Sequence, residues 1–243
     1  MSKCFAIGDV HGDLDALKNL IKSLDLSKGD KLIFLGDYID KGPYSKGVMD
    51  YLIDLKDHYK CVFILGNHEE RMLLALDKGG KFMRNWINHG GKSALKSYDA
   101  FKVKDWKNKI PQSHKDFLTE MVDAYETPTH VFVHAGWDST KKIEQQKSLT
   151  LRYKFLKAST PDNGSGRTII CGHSSTQSGY PVVKGDIICI DTIKSGWLTG
   201  YDVKKGRYYQ AHIDGKTRQF DQAEAFSKKR HVPKCDLFFK FKK

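Results

Sequence analysis

The sequence predicts an α/β fold in one domain, and three observations predict it. Five short apolar runs are each followed at once by Gly or by a His-Ala pair within a polar cluster. Segments with apolar residues at helical spacing separate the first three runs. The length of 243 residues fits one large domain better than two small ones.

Taken in order, Cys4–Ile7 is the first run, and it leads into Gly8-Asp9-Val10-His11-Gly12. Asp13 is placed to N-cap a helix carrying Leu14, Leu17, Leu20, Ile21 and Leu24 on one face. Leu32–Leu35 then leads into Gly36-Asp37-Tyr38-Ile39-Asp40-Lys41-Gly42, and Ser45 is placed to cap a second helix with Val48, Leu52 and Leu55 inward. Val62–Leu65 leads into Gly66-Asn67-His68-Glu69, and Met72–Leu76 reads as a third helix stopped by Gly79-Gly80. Runs of three or four apolar residues without alternation suit strands buried on both faces, and strand–helix–strand repetition is the pattern of a parallel sheet.

Residues 81–127 are rich in helix formers and aromatics and read as a helical excursion. Val131–Val133 before His134-Ala135-Gly136 and Ile169–Cys171 before Gly172-His173 complete the five runs. After residue 182 the texture changes to short runs, Asp186–Asp191, Trp197–Val203 and Arg207–Ile213, with Gly-containing turns that predict antiparallel hairpins. The domain is taken as 1–220, with 221–243 a basic extension packed on it.

Composition narrows the classes. No apolar run approaches the ~20 residues that span a bilayer. A secretory leader is not expected, because the first strand begins at Lys3–Cys4. The five cysteines, Cys4, Cys61, Cys171, Cys189 and Cys235, are odd in number and lack paired spacing, which favours a reducing cytoplasm. The formal charge of +12 can attract phosphorylated substrates, nucleic acid or anionic membrane without choosing among them. In 228–243 seven Lys or Arg stand against Asp236, interleaved with Leu237, Phe238, Phe239 and Phe241. A final edge strand guarded by lysines is preferred there to membrane or nucleic-acid contact.

Ligands in open α/β sheets gather where strands end and loops converge. The polar inventory at the five ends is Asp9, His11, Asp37, Asp40, Asn67, His68, Glu69, His134 and His173. Any one of these is ordinary: an Asp after a strand can cap a helix, and a His can be a satisfied core residue. Five clusters in succession are not. Carboxylate, imidazole and amide donors without thiolate suit manganese first, with iron or zinc as alternatives. A bridging Asp would set two ions ~3.5–4 Å apart, the spacing of two-metal hydrolases.

Gly-Asp-Val-His-Gly, Gly-Asp-Tyr-Ile-Asp-Lys-Gly, Gly-Asn-His-Glu, His-Ala-Gly and Gly-His together resemble, in order and approximate spacing, the phosphoprotein phosphatase family of metallophosphoesterases. The bacterial and phage branch is the most similar in size. The resemblance runs from Gly8 to about Val203 and includes Asn88-His89-Gly90-Gly91 and Ser97-Tyr98. It implies a four-layer α-β-β-α sandwich of mixed sheets, with the metal site at the carboxyl ends of the strands. It also implies that Asp9 and His11 bind one divalent ion, Asp37 bridges two, and Asn67, His134 and His173 complete the second site. His68 would be the general acid, steadied by Asp40, with Lys41, Arg152 and Asn67 on the phosphate. The attacking group would be a hydroxide held between the ions, so no cysteine is needed.

Three departures bear on substrate. Lys41 stands where the family has Arg, replacing a planar two-toothed contact by a point charge. Leu149-Thr150-Leu151 lacks the family's Trp before Arg152, and Asp191-Thr192-Ile193 replaces Asp-Thr-Gly. The first expectation is a monomeric serine/threonine protein phosphatase, on the strength of Glu69 and Asp40, acting on phosphoproteins or small phosphoesters. The alternative is a diadenosine-polyphosphate or nucleotide-cap hydrolase, to which Lys41-Gly42-Pro43 is closer. A phosphate-binding module without catalysis is the remaining class.

Overall fold

The computed structural model describes residues 2–157, 159–160 and 162–223. β1 (Cys4–Ile7), β2 (Lys31–Phe34) and β3 (Lys60–Phe63) are parallel, with Ala6 opposite Ile33 and Ile33 opposite Val62. Helix α1 (Leu14–Ser23) returns the chain from β1 to β2, and α2 (Ser45–His58) returns it from β2 to β3. Asp13 caps α1 as expected, its carboxylate accepting from the Ala16 amide at 3.1 Å. Ser45 does not cap α2; it is the first helical residue, and its hydroxyl accepts instead from the Asp40 amide at 3.0 Å. A residue read as a helix cap is thus spent on fixing a loop.

The third helix, α3, spans Asn67–Lys78 and ends at Gly79. The excursion is helical through α4 (Gly80–Trp86), a wide π turn at Ile87–Gly91, α5 (Lys92–Ser97) and α6 (Gln112–Thr119). Its last residues form a strand instead, β4 (Ala124–Glu126), which pairs with β5 (His130–Val133). Three-residue strands are too short to show alternation, so β4 carried no readable signal.

After β5, α7 (Ser148–Tyr153) precedes β6 (Thr168–Cys171), then β7 (Val182–Lys184) and β8 (Ile187–Cys189). The second sheet has the order β4-β5-β6-β8-β7. The run at Asp186–Asp191 makes its antiparallel hairpin with β7 and not with Trp197–Val203, and on its other side β8 lies parallel to β6, with Cys171 opposite Cys189. The hairpins proper are β9 (Trp197–Asp202), β10 (Arg207–His212) and β11 (Thr217–Asp221), which join the first sheet in the order β11-β10-β9-β1-β2-β3. The basic stretch 228–243 and the packing of the C-terminal extension beyond 223 lie outside the described residues.

Apolar packing makes four layers. Ala6, Ile33, Leu35 and Ile64 of the first sheet meet Phe132, Ile170 and Ile188 of the second in a buried seam between the sheets. The other face of the first sheet, with Phe5, Ile7, Leu32 and Phe34, packs on Leu17, Leu20, Val48, Leu52 and Met72 of the helices. Val131, Val133, Ile169 and Cys189 pack on Leu151 of α7 and on Trp137. This is the expected α-β-β-α sandwich, and the ends of β1, β2, β3, β5 and β6 converge on one rim. Among the described residues no helix is long and apolar enough to cross a membrane.

Candidate active site

Two groups of metal-competent side chains meet at that rim and share one residue. The donor atoms of His11, Asp37 and His68 lie within 4.8 Å of one another, and so do those of Asp37, His134 and His173. Asp9 adjoins the first group, with its Oδ2 3.8 Å from His11 Nε2. Asn67 adjoins the second, with its Oδ1 2.9 Å from His134 Nε2. All six residues expected to be ligands are therefore brought together, from five strand ends.

The backbone is bent to do this. His11, Asp37, Asp40, Lys41 and His173 have φ between 48° and 73°, the left-handed region that L residues avoid. Glycine makes room around them. A Cβ on Gly66 would fall 2.3 Å from Asp37 Oδ1, and one on Gly172 would fall 2.1 Å from Asp9 Oδ1. The carboxylates thus fill space that any other residue at these positions would take.

Glu69 holds the turn after β2. Its buried carboxylate accepts from the backbone N–H groups of Gly66, Asp37, Tyr38 and Ile39, at 2.8 to 3.2 Å. Burial, reinforced by the Asp37 charge, pushes Glu69 up to about 8. Asp40 has two partners: it accepts from His68 Nδ1 at 2.7 Å and from Trp86 Nε1 at 3.0 Å. The expected Asp40–His68 pair is present. Trp86, which orients it, was not foreseen; a buried Trp needs an acceptor, and its lone N–H was the available signal.

Hydrogen bonds select the ligand form of the histidines. His11 Nδ1 lies 3.1 Å from the Ile39 carbonyl, and His134 Nδ1 lies 2.8 Å from that of Leu35. A carbonyl only accepts, so each Nδ1 carries the proton; His11 Nε2, which accepts from the Lys41 ammonium, presents a lone pair, and His134 Nε2 faces the Asn67 amide oxygen at the rim. Burial pushes His11 down to about 4 and His173 to about 3, which keeps both rings neutral at physiological pH. His173 Nε2 is buried with no hydrogen-bond partner.

The charge balance makes the same demand. Burial, then the charges of Asp191 and Asp37, raises Asp9 well above the usual carboxylate range. Asp191 is itself buried and raised by that burial. Among the described side chains, Lys41 brings positive charge directly to the ligands, its Nζ 2.7 Å from His11 Nε2. Three buried carboxylates, oriented lone pairs and an orphaned His173 nitrogen fit divalent cations. Asp191 directly follows the apolar run Ile187–Ile190 and is named in the Asp-Thr-Ile departure, but it is missing from the ligand inventory because that run reads as part of the antiparallel hairpins and not as a strand end at the rim.

Arg152 is placed otherwise than expected. Its guanidinium is buried and paired with Glu70, at 2.6 Å, and with Asp123. Each terminal nitrogen of the guanidinium donates to a carboxylate, while Nε is buried without a partner. Arg71, on the same helix face as Asn67, donates to the Asn67 carbonyl at 3.3 Å and lies over the Tyr153 ring.

With this geometry in view, the likenesses to known proteins can be placed. The calcineurin-like phosphoesterase family profile matches residues 3–233, and the chain belongs to that family. A zinc-dependent endopolyphosphatase of Saccharomyces cerevisiae is 45% identical over 71 residues, 28% of this chain and 21% of that protein. A symmetrical bis(5'-nucleosyl)-tetraphosphatase of Hamiltonella defensa subsp. Acyrthosiphon pisum is 29% identical over 188 residues, 75% of this chain and 61% of that protein. The chain thus spans less than two thirds of the length of these relatives. A solved structure of a candidate diadenosine tetraphosphatase superposes with a TM-score of 0.60 at 18% identity, covering 90% of this chain and 93% of that one. A protein serine/threonine phosphatase of Saccharomyces cerevisiae does so at 0.56 and 13%, covering 90% and 80%. At such identities the two structures establish the fold and say nothing of substrate.

Proposed function

We propose that this phosphoesterase uses two divalent ions to cleave the phosphoanhydride chain of a dinucleoside polyphosphate. The observation that carries the metal chemistry is Asp37, shared by two donor groups. The substrate reading moves away from the protein phosphatase first expected. It is supported by the tetraphosphatase relative, which aligns over 75% of this chain, and by Lys41 in place of Arg. Glu69, which had favoured a protein phosphatase, is fully occupied by backbone N–H groups and faces no substrate.

In this reading Asp9, His11 and Asp37 hold one ion, and Asp37, Asn67, His134 and His173 hold the other. The chemistry supplied by two bound ions is acidification of an attacking water and withdrawal of charge from the phosphoryl oxygens. His68 belongs to the first donor group by distance, yet its Nδ1 faces the buried Asp40 carboxylate. Burial pushes His68 down to about 2, so the ring is neutral in the bare chain; Asp40 on Nδ1 would stabilise the imidazolium beside a phosphate dianion, and His68 is assigned to protonate the leaving oxygen from Nε2. Asp40, fixed by Trp86 and by the Asp40 N–H to Ser45 contact, is the positioning residue. Lys41, whose ammonium now donates to His11 Nε2, would be free to meet phosphate as a point charge if His11 held a cation through that nitrogen. Manganese is the first choice of ion; zinc is the metal named for one relative.

The test compares kcat/KM for diadenosine tetraphosphate and for a phosphoserine peptide, with manganese present. A preference of at least tenfold for the dinucleotide is expected; preference for the peptide overturns the substrate reading. Asp9→Asn should lose bound metal by elemental analysis while His68→Asn keeps it. The reverse result would exchange their roles.

A further inference from the structure

We infer that Lys41, Lys92 and Lys96 form a subsite for the phosphate groups of the substrate beyond the one under attack. This rests on the reading of the site as a phosphoesterase of polyphosphorylated substrates and names the residues that would enforce it. An open cleft of about 370 Å³ is lined by Lys41, Gly90, Lys92, Ser93 and Lys96. Lys41 is the link between cleft and metal ligands, since the same side chain that lines the cleft reaches His11 Nε2. An anion held by the other two lysines therefore lies beside the reaction centre.

The cleft is built by backbone docking. The Gly90 carbonyl accepts from the Lys41 amide at 3.4 Å, and the Ser93 hydroxyl donates to the carbonyls of Lys41 and Gly42, at 3.0 and 2.5 Å. Gly90 has φ +110°, and a Cβ there would lie 3.2 Å from Lys41 Cγ, so only glycine brings this turn so close. Docking the turn carries α5 with it. Lys92 and Lys96 then project from one face of α5, four residues apart, where like charges oppose each other. Among the described residues no carboxylate is within ion-pair distance of Lys92 or Lys96; Lys92 rests on the Phe101 ring. Two ammonium groups without a carboxylate partner, with Lys41 between them and the metal ligands, are matched by an anion of several charges. A single phosphoryl group attacked at the metals is out of step with a basic surface extending this far. A linear chain of phosphates, whether flanked by nucleosides or free, follows it.

The experiment uses the full chain and two variants, Lys92→Gln/Lys96→Gln and, as a control for net charge, Lys28→Gln/Lys60→Gln at the opposite ends of the strands. Binding of inorganic tripolyphosphate to metal-free protein in chelator is measured by calorimetry. With manganese, kcat/KM is measured for diadenosine tetraphosphate, for tripolyphosphate and for p-nitrophenyl phosphate. Loss of tenfold or more in tripolyphosphate affinity for the Lys92/Lys96 variant is expected, with less than threefold for the control. The ratio of kcat/KM on either polyphosphate to that on p-nitrophenyl phosphate should fall by a similar factor. Equal losses on all substrates, or equal losses in both variants, overturn the subsite. If diadenosine tetraphosphate is not cleaved but tripolyphosphate binding depends on the two lysines, the subsite stands and the dinucleotide reading falls. If the dinucleotide is cleaved with no such dependence, the subsite falls and the reading stands.

Discussion

Gly172→Ala is the substitution that tests how tightly the ligand cluster is set. An added Cβ would lie 2.1 Å from Asp9 Oδ1, about 0.9 Å closer than the 3.0 Å that Cβ atoms keep from their neighbours. Gly172 is not among the glycines with positive φ, so the effect is steric and not a matter of backbone strain. The neighbour that must yield is a buried carboxylate, already accepting from the His173 amide at 3.1 and 3.3 Å. Moving it by about 1 Å loosens those bonds and misplaces one proposed ligand, and a displacement of that size costs a catalytic centre about 10²-fold. Overpacking should remove a further 1–3 kcal/mol, roughly, of stability. The assay is kcat/KM on p-nitrophenyl phosphate across a manganese titration, with thermal melting in parallel. A fall of about 100-fold is expected, with half-saturation moved to higher manganese. Gly47→Ala is the comparison: its Cβ meets only the end of the Leu14 side chain, at 2.9 Å, inside α2, where alanine favours helix by about 1 kcal/mol. It should leave activity intact. If Gly172→Ala retains activity within threefold at the same manganese dependence, the crowding argument for Asp9 is wrong.

Other substitutions separate roles that the geometry assigns. Arg152→Ala should cost roughly 1–3 kcal/mol in denaturant unfolding, because it removes charge-assisted bonds to Glu70, which keeps the Tyr153 hydroxyl, and to the half-exposed Asp123, while KM changes less than threefold. A large rise in KM at unchanged stability would return Arg152 to the phosphate. Asp40→Asn should lower kcat on the order of 10²-fold with metal content unchanged, since the His68 partner is lost but no ligand is. Loss of metal would refute that division. Glu69→Gln places an amide N–H₂ among four backbone donors and should cost about 1–3 kcal/mol of stability as well as activity. Unchanged melting would show that the turn holds itself. Cys61, which burial pushes up to about 11, should resist iodoacetamide at pH 8, where about one thiol in a thousand is ionised, and label faster as pH rises toward 11. Rapid labelling at pH 8, read by peptide mass, would contradict its burial.

The parallel core and the rim of ligands were legible because both are local signals. An apolar run ending in Gly and a polar pair marks a strand and its tip within about six residues, and Cys4–Ile7 with Asp9 and His11 is such a unit. The Asp40–His68 pair was readable too, since consecutive strand ends of a parallel sheet are neighbours. What stayed hidden is decided between distant segments. Trp86 reaches Asp40 across 46 residues, and Glu69 reaches the turn after β2 across about 30. Neither partnership has a spacing rule. Ser45 shows the same limit: a Ser before a helical run reads as a cap, yet the nearby Asp40 amide competes for its hydroxyl and wins. Arg152 adds a further case: position in a motif gives no account of Glu70 and Asp123, which meet its guanidinium in the fold.

The same separation explains why this rim can be strained and still persist. Five of the eight described non-glycine residues with positive φ, namely His11, Asp37, Asp40, Lys41 and His173, belong to the proposed site. Each such conformation costs about 1–2 kcal/mol, so a free chain would abandon them. The folded chain over-determines them instead: four amides grip Glu69, Asp40 is held by Trp86 and by its own amide on Ser45, and glycines at 66 and 172 leave the carboxylates one place to lie. Crowding three carboxylates and three ligand histidines is unfavourable in the bare protein and favourable around divalent ions. Strain, buried charge and lone-pair orientation therefore point the same way. The rim is arranged for cations first, and a phosphate chain lying along Lys41, Lys92 and Lys96 is the anion that such a loaded rim would draw.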